Sequence, residues 1–269
     1  MSAALEKRYP EVWRKRSPRE SFLGWLWIAG IAFASAWSVS ALDIEWAFFA
    51  DAHEQAADLA RRMWPPRWSY LPQILSPLLQ TIHIATLGTA IALVFSVPIA
   101  FLSARNTTLN GFTWAVGRAI LVASRSVNTI IWGLMFVAIF GPGALAGVAA
   151  VAARSVGFLA KLIAEAIEEA DAGPIEAIRA TGAGTAQVYL IGILPQVLPV
   201  ILGTTVYRWD INIRESSVLG FVGAGGIGLQ LYASINQFAW QQVLMVLAAI
   251  LVIVILSEAL SAYVRARIS

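Results

Sequence analysis

The sequence predicts an all-α membrane protein with six transmembrane helices, and three observations carry that expectation. Of 269 residues, 58% are hydrophobic and only 13% are charged, against roughly 25% charged in a soluble domain. The apolar residues gather into six stretches of about 20, the length a helix needs to cross a hydrocarbon core of about 30 Å. No intervening stretch is polar enough to make a soluble domain of its own.

The first stretch, 22–42, lies between Glu20 and Asp43. Ala34-Ser35-Ala36 fits a signal-cleavage pattern, but the apolar run exceeds the roughly 7–15 residues of a signal-peptide core, so a retained anchor is expected. The second, 78–104, sits in a run free of Asp, Glu, Lys and Arg from Trp68 to Ala104. The third and fourth, 112–140 and 144–162, are separated by Gly141-Pro142-Gly143, a stop and a turn. The fifth runs over 194–216 and the sixth over 240–263, with no charged residue between Ser216 and Ser257.

Loop charges set the orientation. The first twenty residues hold six basic side chains, Lys7, Arg8, Arg14, Lys15, Arg16 and Arg19, against three acids, which places the N-terminus in the cytoplasm. Six spans return the C-terminus, with Arg265 and Arg267, to the same side. The chain thus divides into a cytoplasmic segment 1–21, a first transmembrane helix 22–42, a periplasmic segment 43–77, and a transmembrane domain 78–267 with a cytoplasmic loop 165–195. In the periplasmic segment Leu42, Trp46, Phe49, Ala52, Ala56, Leu59 and Met63 recur at helical spacing with Asp51, Glu54, Asp58 and Arg61 between them, the pattern of a helix lying in the interface. Trp64, Trp68 and Tyr70 flank Pro65-Pro66 as an aromatic belt would. Membrane anchoring and a docking platform for an external partner both fit this segment. The inner loop departs from the charge rule: it has five acids and only Arg179 as a base.

Several function classes fall away. The 19 basic residues form no stripe interleaved with aromatics, so nucleic acid is not an expected partner; membrane lipid is. Zero cysteines exclude disulfides and thiolate chemistry. His53 and His83 are isolated, too few for a metal site, so no metal is expected. Gly223-Ala224-Gly225-Gly226-Ile227-Gly228 fits G-x-G-x-x-G, but neither a parallel-sheet unit nor a following acid before Glu258 supports a dinucleotide site. No G-x-x-x-x-G-K-[ST] occurs, so the chain has no P-loop for ATP.

The inner loop reads Glu176-Ala177-Ile178-Arg179-Ala180-Thr181-Gly182, and twelve residues beyond Gly182 comes Leu194, followed by Pro195. Ile175, Ile178, Val188 and Ile191 suggest short amphipathic helices with a turn at 182–184. The pattern resembles the E-A-A-x3-G-x9-I-x-L-P signature of permease subunits of ATP-binding-cassette importers. Glu176, Ala177, Gly182, Leu194 and Pro195 match, while Ile178 and Gly192 stand at the other two positions. Residues 64–72, opening Trp64-Pro65-Pro66-Arg67-Trp68, together with 100–108, 194–199, 207–214 and 218–228, look like the phosphonate class, which includes relatives for phosphite and hypophosphite. Departures are Gln80 for a usual Glu, Asn128 for a Pro, and Asp210 for a common Glu.

The resemblance implies a type I importer permease fold and a homodimer around a central path. It also implies two ATP-binding-cassette subunits holding ATP and Mg on the inner loops, and an external solute-binding protein; no cofactor is bound by this chain. Glu176, Ala177, Arg179, Gly182, Leu194 and Pro195 would form the coupling loop, and the acidic loop would then face a protein rather than lipid. Gly223, Gly225, Gly226 and Gly228 would form a gate or docking loop near the outer end.

Charges inside a span cost about 2.5–3.5 kcal/mol each and mark paths or partners. On the fifth span Asp210 and Arg214 share one face, while Arg208, Asn212 and Glu215 share another. Two readings stand: a self-neutralised cluster, or a path in which Arg208 or Arg214 guides a phosphorus oxyanion. Arg125 and Arg154 are further path candidates, and Arg118 snorkels at the interface. An ion-driven secondary transporter, a membrane enzyme and a permease for another solute are the alternatives.

Overall fold

A computed structural model describes residues 18–268. The expected segment 1–21 therefore lies outside the described residues up to position 17. Eleven α-helices occur among the described residues, a three-residue turn at Thr185–Gln187 and ten longer ones. They are α1 (Pro18–Ala41), α2 (Ala47–Met63), α3 (Leu71–Ser103), α4 (Gly111–Ser126), α5 (Thr129–Phe140), α6 (Ala144–Glu168), α7 (Ala172–Ala180), α8 (Leu194–Leu219), α9 (Ile227–Asn236) and α10 (Trp240–Ile268). No strand occurs among the described residues. Five helical stretches are long and apolar enough to span a bilayer, and α4 with α5 makes a sixth if that bent pair is one span. Contacts divide the described residues into two compact units, the first ending at Asp58 and the second starting at Leu59, inside α2. In the first unit α1 is apolar around its whole circumference, as a lipid-embedded helix must be.

In the second unit α3 and α6 run side by side, joined by small residues. Gly88 lies against Val151, so that a Cβ there would come within 2.6 Å of its side chain, and Ala85, Ala92, Ala146 and Ala150 are fully buried. Close backbone approach replaces the hydrophobic drive that lipid removes. One end of the unit carries residues 104–110 and the 169–184 loop; the opposite end carries the 141–143 turn and the glycine segment, joined by Gly143 N donating to Gly223 O at 2.9 Å. Leu121, Leu159, Ile163 and Ile167 form a core at the loop end with Ile175, Val188 and Val197. Ile74, Ile227, Leu231 and Val246 form another at the opposite end.

The third span departs from the continuous helix expected over 112–140. It breaks at residues 127–128, where α4 and α5 meet at 95°. Val127 is extended, and the Asn128 side chain caps α5 by accepting from Ile130 N at 3.0 Å. Two side chains hold the break. Arg154 Nη1 donates to Arg125 O at 2.6 Å and Val127 O at 2.9 Å, satisfying carbonyls that the bend strips of helical partners. Ser124 Oγ accepts from Gly157 N at 2.9 Å and donates to Ala153 O at 2.5 Å, inserting itself into the hydrogen-bond ladder of α6. Only a glycine at 157 admits it, since a Cβ would come within 2.7 Å of Ser124.

The other spans are longer than their apolar cores suggest. α3 starts at Leu71, α6 runs to Glu168 and α10 to Ile268. The fifth span begins inside the expected loop, through a short helix at Thr185–Gln187 and a π-helical turn at Val188–Ile193 that leads into α8. The wider turn accommodates Pro195, whose ring lacks an N–H and crowds the preceding turn.

Candidate functional site

The loop end presents a small helix on a rigid base. α7 is capped by Asp171, whose carboxylate accepts from Gly173 N at 3.0 Å. Ile175 is buried and Ile178 half-buried against the base, while Glu176, Ala177, Arg179 and Ala180 are exposed. Gly182 ends the helix at φ +79°, a conformation glycine adopts at little cost, and nothing lies within 4 Å of where its side chain would be. Leu194 is half-buried and Pro195 exposed at the start of α8. Gln196, which motif reasoning passed over, clamps the loop to α8: its side chain accepts from Asp171 N at 2.9 Å and donates to Gly192 O at 2.7 Å. Tyr189 Oη donates to Thr107 O at 2.8 Å, tying the same base to the first inner turn.

The charges of α8 separate onto two faces, as their spacing requires. Asp210 is buried, accepts from Ser257 Oγ of α10 at 2.7 Å and pairs with Arg214, which is exposed. On the other face Arg208 is 3% exposed and Asn212 fully buried. Arg208 Nε donates to Ser155 Oγ at 2.9 Å, its Nη2 donates to Glu215 at 3.2 Å, and its guanidinium lies 5.3 Å from the Phe158 ring centre. Asn212 donates to Thr89 at 2.7 Å, and Thr129 donates to Glu215 at 2.5 Å. This network joins α3, α5, α6 and α8. Its hydroxyl partners, Ser155, Thr89 and Thr129, are indistinguishable in sequence from the many Ser and Thr that bond their own helix backbone.

A cavity of about 560 Å³ lies where α4, α6 and α8 meet. Five cations line it, Arg118, Arg125, Arg154, Lys161 and Arg208, and no carboxylate does. The structure thus brings together three path candidates, Arg125, Arg154 and Arg208, and adds Lys161 and Arg118. Arg214 and Asp210 are outside the lining. Arg118 stays 3.7 Å from Glu168, outside hydrogen-bond range, and its buried Nε has no acceptor. Heptad spacing puts Arg118 and Arg125 on one face of α4; no sequence signal brings Lys161 to them.

At the opposite end the glycine segment is pinned. Gly223, Gly225 and Gly226 have φ near +80°, and Gly228 packs so closely that a Cβ would lie 2.4 Å from Ser217 O. Gln80 Oε1 accepts from Gly226 N at 2.9 Å and Thr81 Oγ1 from Ile227 N at 2.8 Å, capping α9 from α3. At position 80 the amide oxygen does what a carboxylate oxygen would do. The described residues include no cluster of three or more potential metal ligands.

Residues 96–269 match the family of binding-protein-dependent transport system inner membrane components. The chain is 42% identical over 238 residues to the phosphite transport system permease protein PtxC of Stutzerimonas stutzeri, covering 88% of this chain and 86% of that protein. It is 41% identical over 231 residues to the phosphate-import permease protein PhnE of Mycolicibacterium smegmatis, covering 86% of this chain and 43% of that longer protein. Among solved structures, an inward-facing MetNI methionine ABC transporter chain superposes with a TM-score of 0.65 at 21% identity, covering 76% of this chain and 99% of the other. That likeness speaks to the fold.

Proposed function

The chain belongs to the binding-protein-dependent transport system inner membrane components, and on that premise we propose that it imports a reduced-phosphorus or phosphate oxyanion as the permease subunit of an ATP-driven importer. It is a translocation subunit and not a catalyst; hydrolysis belongs to a separate ATPase, and delivery to a solute-binding protein. Two copies of this chain surround a central path, and two ATPases bearing ATP and Mg sit against the two α7 helices. The protein lies in the cytoplasmic membrane with both termini and the 165–195 loop inside.

The geometry supports a mechanical division of labour. The exposed face of α7, with Glu176 for a basic partner and the small Ala177, Ala180 and Gly182 for close approach, is fixed to the bundle through Ile175, Gln196 and Tyr189. Force applied to α7 is therefore passed to α6 and α8 rather than lost in a loop. Closure of the ATPases on nucleotide draws the two α7 helices together and opens the path outward. Hydrolysis restores the inward-open state. At the other end Gly223, Gly225, Gly226 and Gly228 join the α5–α6 turn to α9, so a docked binding protein acts on the same helices.

The observation that carries the oxyanion reading is the cavity with five cations and no lining carboxylate. Guanidinium forks match tetrahedral oxyanions, and a neutral or cationic cargo would gain nothing from them. ATPase activity of the complete complex in vesicles, titrated on the binding-protein face alone with phosphite, methylphosphonate, hypophosphite and phosphate, tests the reading. Stimulation by one or more is the expected outcome; a flat response to all four with the complex intact rejects it.

A further inference from the structure

We infer that the cation-lined cavity is a phosphorus-oxyanion site that fills from the coupling-loop end, and that its occupancy slows the transport cycle. The inference rests on the importer reading above and adds regulation to it. Arg118 and Lys161 lie toward the end that bears α7, and Arg154 is two turns deeper along α6, about 10 Å at 1.5 Å per residue. The counter-charges are unevenly shared. Arg208 has Glu215 at 3.2 Å and Lys161 has Glu165 at 3.3 Å, whereas Arg125 has no ion-pair partner or side-chain hydrogen bond among the described residues. Arg154 spends Nη1 on backbone carbonyls and has no carboxylate partner. Arg118 keeps a buried Nε without an acceptor. A doubly charged tetrahedral anion supplies the counter-charge that Arg125 and Arg154 lack and an acceptor for the Arg118 Nε.

The same residues connect the cavity to α7. Glu165 and Glu168 are in the last turns of α6, and Glu168 also accepts from Arg105 N at 2.9 Å. Asp171, the cap of α7, follows three residues after Glu168. An anion held by Arg118 and Lys161 competes with these carboxylates and repels them, which displaces the α6 end on which α7 is built. Because coupling between two sites is reciprocal, an α7 position that favours the anion disfavours ATPase engagement. Cargo that accumulates inside then restrains further import.

The test uses the complete complex of permease, ATPase and binding protein in phosphatidylcholine vesicles, with the binding protein and cargo inside. ATP and a titration of phosphite are added outside, on the ATPase face of the inverted molecules. Phosphite on that face is expected to slow ATP-driven transport. Arg125→Gln raises the concentration for half inhibition about tenfold or more, the usual consequence of losing a charge-assisted hydrogen bond, and Arg125→Lys restores part of it. Lys161→Gln gives a second, independent shift. Transport that proceeds unchanged at high external phosphite, or inhibition in both Gln variants identical to that of the unsubstituted complex, overturns the inference while leaving the importer reading intact. Failure of every oxyanion to be transported at all strikes the importer reading instead. A lipid phosphate presents the same oxygens, so the titration is repeated with phosphatidylglycerol. Inhibition set by phosphite in both bilayers supports a free anion, and inhibition that follows phosphatidylglycerol alone overturns it.

Discussion

At the scale of single residues, the basic side chains of the cavity differ in what they hold up. Arg154 satisfies two carbonyls at a 95° break, and removing a donor from such groups costs about 1–3 kcal/mol. Arg154→Ala should therefore lower the thermal stability of the detergent-solubilised protein as well as transport. Arg125→Gln should leave stability within about 0.5 kcal/mol, as for substitutions away from packed or bonded features, because its side chain holds no bond to the described residues. A thermal melt of both variants separates scaffold from site; equal melting behaviour would remove the structural role assigned to Arg154. Arg214 is exposed and pairs with buried Asp210, which retains Ser257 as a donor. Arg214→Ala should keep membrane insertion and abolish uptake, and uptake at the wild-type rate would return this pair to structural duty.

At the scale of elements, glycines divide into those that permit contact and those that permit shape. Gly147 lies where a Cβ would be 2.4 Å from Ala224 O. Gly147→Ala should force α6 from the glycine segment and cost about 1–3 kcal/mol, the range for overpacking. Gly203 has nothing within 4 Å in α8, so Gly203→Ala, the companion substitution, meets no clash and tests that difference in the same melt. Gly182 is of the second kind, with φ +79° and open space around it. A bulky residue there strains one position by about 1–2 kcal/mol and projects from the α7 surface. Gly182→Leu should leave a folded, inserted protein in which ATP hydrolysis no longer drives uptake. Normal uptake by this variant would show that α7 does not meet a close partner.

At the scale of the whole molecule, exposed polar side chains bear on the proposed homodimer. Ser76, Gln80 and His83 are exposed along one side of α3. Polar groups in a membrane domain turn toward a partner or a water-filled path. Native mass spectrometry of the purified complex should find two copies of the 29.0 kDa chain for every two ATPases; a single copy would refute the homodimer. By itself the sequence determined the helical membrane class and the order of its apolar stretches, together with the short helix and glycine turn of the 172–182 segment, because hydropathy and local spacing act over neighbouring positions. Charge spacing likewise assigned Asp210 and Arg208 to opposite faces of α8. Only the tertiary structure decided that the third span breaks at residues 127–128, since the break depends on Arg154 and Ser124 meeting across two helices. It alone also gathered Lys161 and Arg118 with Arg125, Arg154 and Arg208, because a cavity is made by faces of α4, α6 and α8 that are distant in sequence and meet only through packing.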